Sequence, residues 1–162
     1  MLRRLAVLAL ALVPALLGST DPAAAAWAVN GAGPAKSLAV LVPQGARPTV
    51  SETTDPATYL PLYVVTWNTG FVATARPVTG YQIRRIVFPG TSIAKVEVIG
   101  KGTCAGTTVD GLPNVYVPGS PGTATQSCTD AEGYAKGDVQ YTVTPVYGRW
   151  TGPTSSPSAI YS

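Results

Sequence analysis

Short runs of β-branched and aromatic residues, separated by glycine and proline, constrain the fold of this chain more than any other sequence feature. In the segment Asp138–Tyr147, apolar Val139, Tyr141 and Val143 alternate with polar residues. Such alternation places the apolar residues on one face of a strand and the polar residues on the other, as in an antiparallel sheet packed on a core. No stretch shows the 3.6-residue period of an amphipathic helix. The sequence therefore predicts an all-β fold.

The chain contains eight candidate strands of this kind, separated by turn-forming residues. They are Ser37–Val42, Pro48–Glu52, Leu62–Asn68, Gly80–Phe88, Lys95–Ile99, Thr123–Thr129, Asp138–Tyr147 and Ser155–Tyr161. The last is the weakest, so about seven strands are expected, and no linker or repeat divides them. This arrangement predicts one domain, an antiparallel two-sheet sandwich. The segment Thr107–Gly122, rich in glycine and proline, is predicted to be a long loop.

The first 26 residues are predicted to be a secretory signal peptide. Arg3 and Arg4 precede the apolar run Leu5–Leu17, which is shorter than the roughly 20 residues that span a bilayer. Small residues follow the run, and Ala24-Ala25-Ala26 satisfies the small-x-small requirement of a cleavage site. The signal predicts export from the cell.

Cleavage after Ala26 fits best, and cleavage after Ala28 is the alternative. Residues 27–36 are then a loose N-terminal arm, and residues 37–162 are the folded domain. No second apolar stretch is long enough to cross a membrane. We therefore expect a secreted protein or one associated with the cell envelope, with no membrane span after cleavage.

Cys104 and Cys128 are the only cysteines, and both follow the predicted cleavage site. An oxidising exterior favours a disulfide between them, which would close a loop of about 25 residues and contribute roughly 3–4 kcal/mol. Two free thiols or a metal pair are the alternatives. A metal site would need further ligands, and the chain contains no histidine. We expect the disulfide, and no metal.

The charge of the chain excludes few partners but argues against nucleic acid. Removing Arg3, Arg4 and Asp21 from totals of 11 Lys/Arg and 8 Asp/Glu leaves a net charge of +2. Nucleic-acid binding normally requires a dense basic cluster, and only the Arg84–Arg85 pair approaches one. We expect no nucleic-acid partner.

Four segments resemble a fibronectin type III domain. Val65-Thr66-Trp67 and Pro77–Ile83 resemble its strands B and C, Tyr141–Val146 resembles its strand F, and Gly152–Ser158 resembles the passage into its strand G. The segments occur in the order of that family, and the resemblance extends from about residue 37 to the C-terminus. It implies an immunoglobulin-like sandwich.

The mature chain is also similar to small exported proteins of high-GC Gram-positive bacteria for which no activity is established. The similar segments are Ala26-Trp27, Val78–Arg85, Gly102–Thr107, Ser127–Asp130, Tyr141–Pro145 and Trp150–Gly152. The chain departs from these proteins in the stretch Thr108–Thr125, which is longer here. The resemblance implies export and a disulfide, and it implies no activity.

The resemblance to fibronectin type III domains also implies structural roles. Trp67 is expected to fill the gap between the sheets, and Tyr141 is expected to be the corner tyrosine whose hydroxyl bonds nearby backbone. Arg84 is expected to point outward. Cys104 is expected just beyond strand C′ and Cys128 at the end of strand E, so that the bridge joins the two sheets. The predicted core comprises Trp67, Tyr81, Ile83, Tyr141 and Val143.

The residue inventory argues against catalysis. Without histidine there is no Ser-His or Cys-His nucleophile pair, and neither a phosphate-binding glycine loop nor a nucleotide fingerprint is present. Asp130, Glu132 and Asp138 cluster in the turn region Thr129–Asp138, which is expected to be a solvated connection between strands E and F, with ion binding as the alternative. We expect no enzymatic activity, no cofactor and no catalytic residue.

Aromatic and cationic residues in predicted loops favour a binding function. Trp150 and Arg149 lie in a predicted turn, and this pairing is common at binding hot spots. Tyr147 and Tyr116 extend the candidate surface, although Trp150 could instead fold back onto the sandwich. The chain is therefore interpreted as an interaction or spacer module whose partner is an unknown protein or glycan of the envelope or exterior. The alternatives are a carbohydrate-binding module and a protease inhibitor that presents loop 107–122.

Overall fold

The computed structural model describes residues 40–73, 76–132 and 138–162. The predicted signal peptide (1–26), the N-terminal arm (27–36) and the beginning of the predicted strand Ser37–Val42 lie outside these residues. The described residues contain no α-helix, and the all-β prediction is confirmed. The elements are β1 (Thr49–Thr54), β2 (Pro61–Asn68), β3 (Phe71–Ala73), β4 (Arg76–Pro77), β5 (Gly80–Val87), β6 (Lys95–Val98), a 3-10 helix (Thr103–Ala105), β7 (Thr107–Val109), β8 (Leu112–Tyr116), β9 (Thr125–Asp130), β10 (Val139–Tyr147) and β11 (Trp150–Thr151).

Two antiparallel sheets carry the core. The smaller sheet has the strand order β1-β2-β9, and the larger has the order β11-β10-β5-β8-β7. Strand β5 lies at the centre of the larger sheet. One of its edges pairs with β10, from Gly80 opposite Val146 to Val87 opposite Val139, and its other edge pairs first with β8 and then with β6.

Aromatic side chains fill the space between the two sheets. The Trp67 ring on β2 meets the Tyr81 ring on β5 edge to face, with 5.1 Å between the ring centroids. Large rings of this kind dominate core energetics because each removes a large apolar area from water. All five residues of the predicted core are at most 2 % exposed, as the alternation on β5 and β10 requires.

The predicted loop 107–122 is wrong over most of its length, because residues 107–116 form the hairpin β7–β8. Asp110 and Gly111 form its turn with φ values of 50° and 86°. Positive φ at both central positions defines the type I′ turn that Asp-Gly favours, whose twist matches that of the flanking strands. The hairpin extends the larger sheet beside β5, and only residues 117–122 remain irregular.

The ends of the domain also differ from prediction. Residues 40–42 are not in a strand. The segment Ser155–Tyr161 follows β10 without forming a regular strand, because serine hydroxyls replace backbone carbonyls as acceptors. The Val143 N–H donates to Ser155 Oγ at 3.0 Å, and the Tyr141 N–H donates to Ser158 Oγ at 3.1 Å. The last segment thereby satisfies the backbone donors of β10.

Candidate functional site

The sandwich has two chemically different ends. Contacts between the sheets place Trp67 and Tyr81 near one end, and Asp130, Arg85 and Tyr141 near the other. We call the first the aromatic end, defined by Phe71, Arg76, Tyr147, Arg149 and Trp150. We call the second the ionic end, defined by Arg85, Glu97, Asp130, Glu132 and Tyr141.

Arg85 is the centre of the ionic end. It occupies a core-facing position of β5 and is 3 % exposed. Its Nη1 donates to Asp130 Oδ2 at 2.8 Å, and its Nη2 donates to Glu97 Oε2 at 2.9 Å and to Glu132 Oε2 at 2.5 Å. A buried cation is tolerated when it is paired and hydrogen-bonded in this way. The sequence reasoning treated Arg85 only as half of a basic pair, although period-2 alternation from Tyr81 and Ile83 places it in the core.

Asp130 joins this arginine to the core tyrosine. The carboxylate is 0 % exposed, and its Oδ2 accepts a hydrogen bond from Tyr141 Oη at 2.9 Å. Burial and the charge of Asp130 raise the pKa of Tyr141 above its ordinary value. Two expectations are therefore wrong. Tyr141 bonds a carboxylate rather than backbone, and Asp130 is buried rather than solvated.

The disulfide closes the same end and is confirmed. Cys104 lies in the 3-10 helix that follows β6, and Cys128 lies within β9. The bridge therefore joins the connection between β6 and β7 of the larger sheet to β9 of the smaller sheet, with Cys128 two residues before the end of its strand rather than at the end. Nearby, Glu132 Oε1 accepts from the Gly100 N–H at 2.8 Å, and the Ala131 N–H donates to the Lys101 carbonyl at 3.2 Å.

The ionic end offers little to a ligand. Its cation is paired internally with three carboxylates, and Asp138, the third acid of the predicted cluster, is exposed and outside this network. Over the residues that the structure describes, no three His, Cys, Asp or Glu side chains are grouped to hold a metal ion. Two surface grooves, of about 430 and 470 Å³, are lined by residues that include no carboxylate.

The aromatic end exposes most of its side chains to solvent, although Tyr147 is half-buried and packs against the core. Trp150 is 65 % exposed and lies directly opposite Tyr147 in the β10–β11 pair. Gly148, with φ at 57°, begins the turn between them, as a type II′ hairpin requires. Residues directly opposite each other share one face of a sheet, with Cβ atoms about 5 Å apart. The two residues are therefore neighbours on the sheet, and the exposure of Trp150 excludes the alternative that it is buried against the sandwich.

Two arginines flank these rings. Arg76 Nη1 donates to Tyr147 Oη at 3.1 Å, which connects β4 to the tip of β10. Arg149 is exposed in the turn itself. Phe71, which pairs with Pro77 across the β3–β4 hairpin, is 43 % exposed and adds a third aromatic ring at this end. Sequence reasoning missed Arg76 and Phe71, because neither lies in a motif and only the fold brings them to Trp150.

Thr79 holds the tip of the β10–β11 hairpin in place. Its N–H donates to the Val146 carbonyl at 2.8 Å, and its Oγ1 accepts from the Gly148 N–H at 3.1 Å. On the other side, a side chain on Gly152 would collide with the carbonyl of Pro43. The surface that carries Trp150 is therefore attached to the sandwich on both sides of the turn.

Tyr116 does not belong to this surface: it is half-buried like Tyr147, but it lies on β8, away from Trp150. Its ring packs edge to face on Trp67 with 5.8 Å between centroids, and its hydroxyl donates to the Ser127 carbonyl at 2.8 Å. Strands β5 and β10 separate its strand from that of Trp150, a distance of roughly 14 Å across the sheet. The site therefore contains Trp150, Arg149 and Tyr147 from the predicted set.

Comparison of the chain with protein-family models, with curated proteins and with solved structures finds no match. The described residues also contain no helix of the length and apolarity needed to cross a membrane. The site must therefore be interpreted from its own residues.

Proposed function

We propose that this chain is an exported, non-enzymatic module with a fibronectin type III-like fold, and that it binds its partner through the aromatic end. The observation that carries this proposal is the exposure of Trp150 in a turn that is held in place. Leaving a tryptophan in water forgoes the favourable burial of a large apolar ring. A rigidly placed, exposed ring beside an arginine has the composition of a binding hot spot.

The rest of the molecule supports a binding role. The charged groups of the ionic end form ion pairs with one another, and the two grooves lack paired carboxylates. The hairpin β7–β8, proposed from sequence as an inhibitory loop, is paired into the larger sheet. The aromatic end combines an exposed tryptophan with two arginines, Arg76 and Arg149, that form no ion pair with a described residue.

Retention on cell-envelope and extracellular polysaccharide fractions tests this proposal. The purified protein should be retained, and Trp150→Ala should not. Tyr59→Asn is the matched control, because Tyr59 is an 83 % exposed aromatic residue in the connection between β1 and β2, at the opposite end of β2 from Trp67. The φ of Tyr59 is 56°, a left-handed conformation that asparagine tolerates. Equal retention of the protein and Trp150→Ala would contradict the proposed site, and retention of neither on any fraction would favour a spacer role.

A further inference from the structure

The two ends of the sandwich differ in charge as well as in exposure. The segments at the aromatic end, residues 68–80, 117–125 and 146–152, contain no Asp or Glu. Arg76 and Arg149 lie within them, and neither forms an ion pair with any described residue. The aromatic end is therefore a cationic surface without internal compensation, which favours a negatively charged ligand.

The cations and rings at this end form a row in which each residue is joined to the next by a hydrogen bond, by strand pairing or by the chain itself. Arg76 bonds the hydroxyl of Tyr147, Tyr147 stands opposite Trp150, and Arg149 precedes Trp150 in the turn. A ligand that covers Trp150 therefore meets a region with two guanidinium groups, one bonded to the Tyr147 hydroxyl and one on the residue that precedes Trp150. Guanidinium groups bind carboxylates through paired, charge-assisted hydrogen bonds.

From this row we infer that the ligand of the aromatic end is a carboxylated glycan, a polysaccharide of the uronic-acid type. The inference rests on the proposed binding role of this end and goes beyond it by assigning the chemistry of the ligand. The C–H face of a pyranose ring stacks on an exposed indole, while its carboxylate lies at the ring edge where an arginine meets it. A polymer of acyclic alditol phosphates carries charge but offers no ring to Trp150, so it fits only half of the row.

Polygalacturonate and its fully methyl-esterified form provide a direct test, because they share a backbone and differ in whether each carboxyl group is an anion or a neutral methyl ester. Binding is measured by isothermal titration calorimetry at low and high salt. The protein should bind polygalacturonate, more weakly at high salt because screening weakens exposed charge pairs, and should bind the ester at least about tenfold more weakly. Trp150→Ala should weaken binding about tenfold or more, and Arg149→Gln about threefold to fivefold.

Three further variants separate specific recognition from general attraction. Lys101→Gln removes the same charge as Arg149→Gln, but from an exposed residue at the ionic end, and should leave binding unchanged. Tyr147→Phe removes the hydrogen bond from Arg76 while keeping both the ring and the charge, so it should bind better than Arg76→Gln. Equal losses in Lys101→Gln and Arg149→Gln would show attraction by net charge and would overturn the inference.

The outcomes distinguish this inference from the proposed function. Equal binding of polygalacturonate and its ester, or Trp150-dependent retention on envelope fractions without polygalacturonate binding, would overturn the carboxylated ligand and leave the binding role. Tighter binding of single-stranded DNA than of polygalacturonate would likewise overturn it, since stacked bases and phosphates also satisfy rings and arginines. Polygalacturonate binding that is unaffected by Trp150→Ala and Arg149→Gln would overturn both proposals.

Discussion

The ionic end and the aromatic end each contain a tyrosine of strand β10, and the environments of these two tyrosines differ. Tyr141 and Tyr147 both lie on β10 at positions of the same parity. At the ionic end, Asp130 of the facing sheet accepts from the Tyr141 hydroxyl, and both side chains are fully buried. At the aromatic end, Arg76 meets the Tyr147 hydroxyl from a short hairpin at the surface. Both tyrosines occupy equivalent positions in the alternation of β10. The group that meets each hydroxyl therefore determines how the two environments differ.

This difference indicates which residues contribute to the stability of the fold and which remain available for binding. Burial at the ionic end compels every charge to find a partner, because a lone buried ion costs several kcal/mol. Exposure at the aromatic end removes that constraint, so rings and cations can remain available to a ligand. We therefore expect changes at the ionic end to alter stability and changes at the aromatic end to alter binding.

Removing Asp130 should break this comparison most strongly. Asp130→Ala leaves the buried Arg85 with fewer acceptors and the Tyr141 hydroxyl without its partner. Breaking a buried pair in this way costs about 3–5 kcal/mol. Denaturant unfolding followed by intrinsic fluorescence should show a loss of that size in the free energy of unfolding.

A conservative variant separates the contribution of the charge from that of the shape. Asp130→Asn retains an oxygen that can accept from Tyr141 but removes the charge that faces Arg85, so its loss should be smaller than that of Asp130→Ala. A loss below about 1 kcal/mol in Asp130→Ala would mean that the cluster does not stabilise the fold as its geometry indicates.

The disulfide offers the next largest effect and tests whether the two ends are independent. Replacing Cys104 and Cys128 by alanine removes a cross-link between residues 24 apart in sequence, which should cost roughly 3 kcal/mol. Binding at the aromatic end, measured well below the unfolding midpoint, should not change. A binding defect in the folded double variant would show that the two ends are coupled.

An element of this fold can be predicted from the sequence where a local pattern determines it. It cannot be predicted in this way where a tertiary contact determines it. The strands β2, β5 and β10 follow from alternation, because their apolar faces pack on the core. Strand β6 shows the limit of this reasoning. Its Val96 and Val98 are 64 % and 44 % exposed, while Glu97 between them accepts a hydrogen bond from Arg85 at the ionic end. The buried Arg85 on the neighbouring strand determines which face of β6 turns inward.

The candidate site could be predicted from the sequence to a similar degree. The turn Gly148-Arg149-Trp150 carries its own signal, a glycine beside an aromatic and a cation, and the site residues were named from it. Tyr116 carries the same residue-type signal, yet it packs on Trp67. Whether a tyrosine near a turn is surface or core depends on the pairing of its strand, and the pairing of β8 with β5 is a long-range contact that no local pattern encodes.

A pH series that compares the parent protein with Glu97→Gln should sharpen the comparison at Glu97, a partly exposed carboxylate of the ionic end. Hydrogen bonds from Arg85 and then Lys95 hold the pKa of Glu97 below its ordinary value of 4.5. A lowered pKa in the folded state means that the ion pair stabilises the protein above about pH 4.5 and that this contribution is lost as the pH falls through the folded pKa. Since Glu97 is partly exposed, the effect should stay below about 1 kcal/mol.

Thermal unfolding between pH 3 and pH 7 measures this contribution. Glu97→Gln should be less stable than the parent protein at neutral pH, and the difference should shrink toward acidic pH. A difference that is constant across the series would show that Glu97 stabilises the fold by packing rather than by charge.

The smallest effect on stability is expected from the residue with the largest expected effect on binding. Trp150 is 65 % exposed, so Trp150→Ala should change the free energy of unfolding by less than about 0.5 kcal/mol. Trp67 is the internal control, because it is 2 % exposed and Trp67→Ala should cost about 3–5 kcal/mol. The same substitution in the same fold thus compares a buried ring with an exposed one. A loss above about 1 kcal/mol in Trp150→Ala would mean that this ring stabilises the sandwich, and the separation between a stabilising end and a binding end would fail.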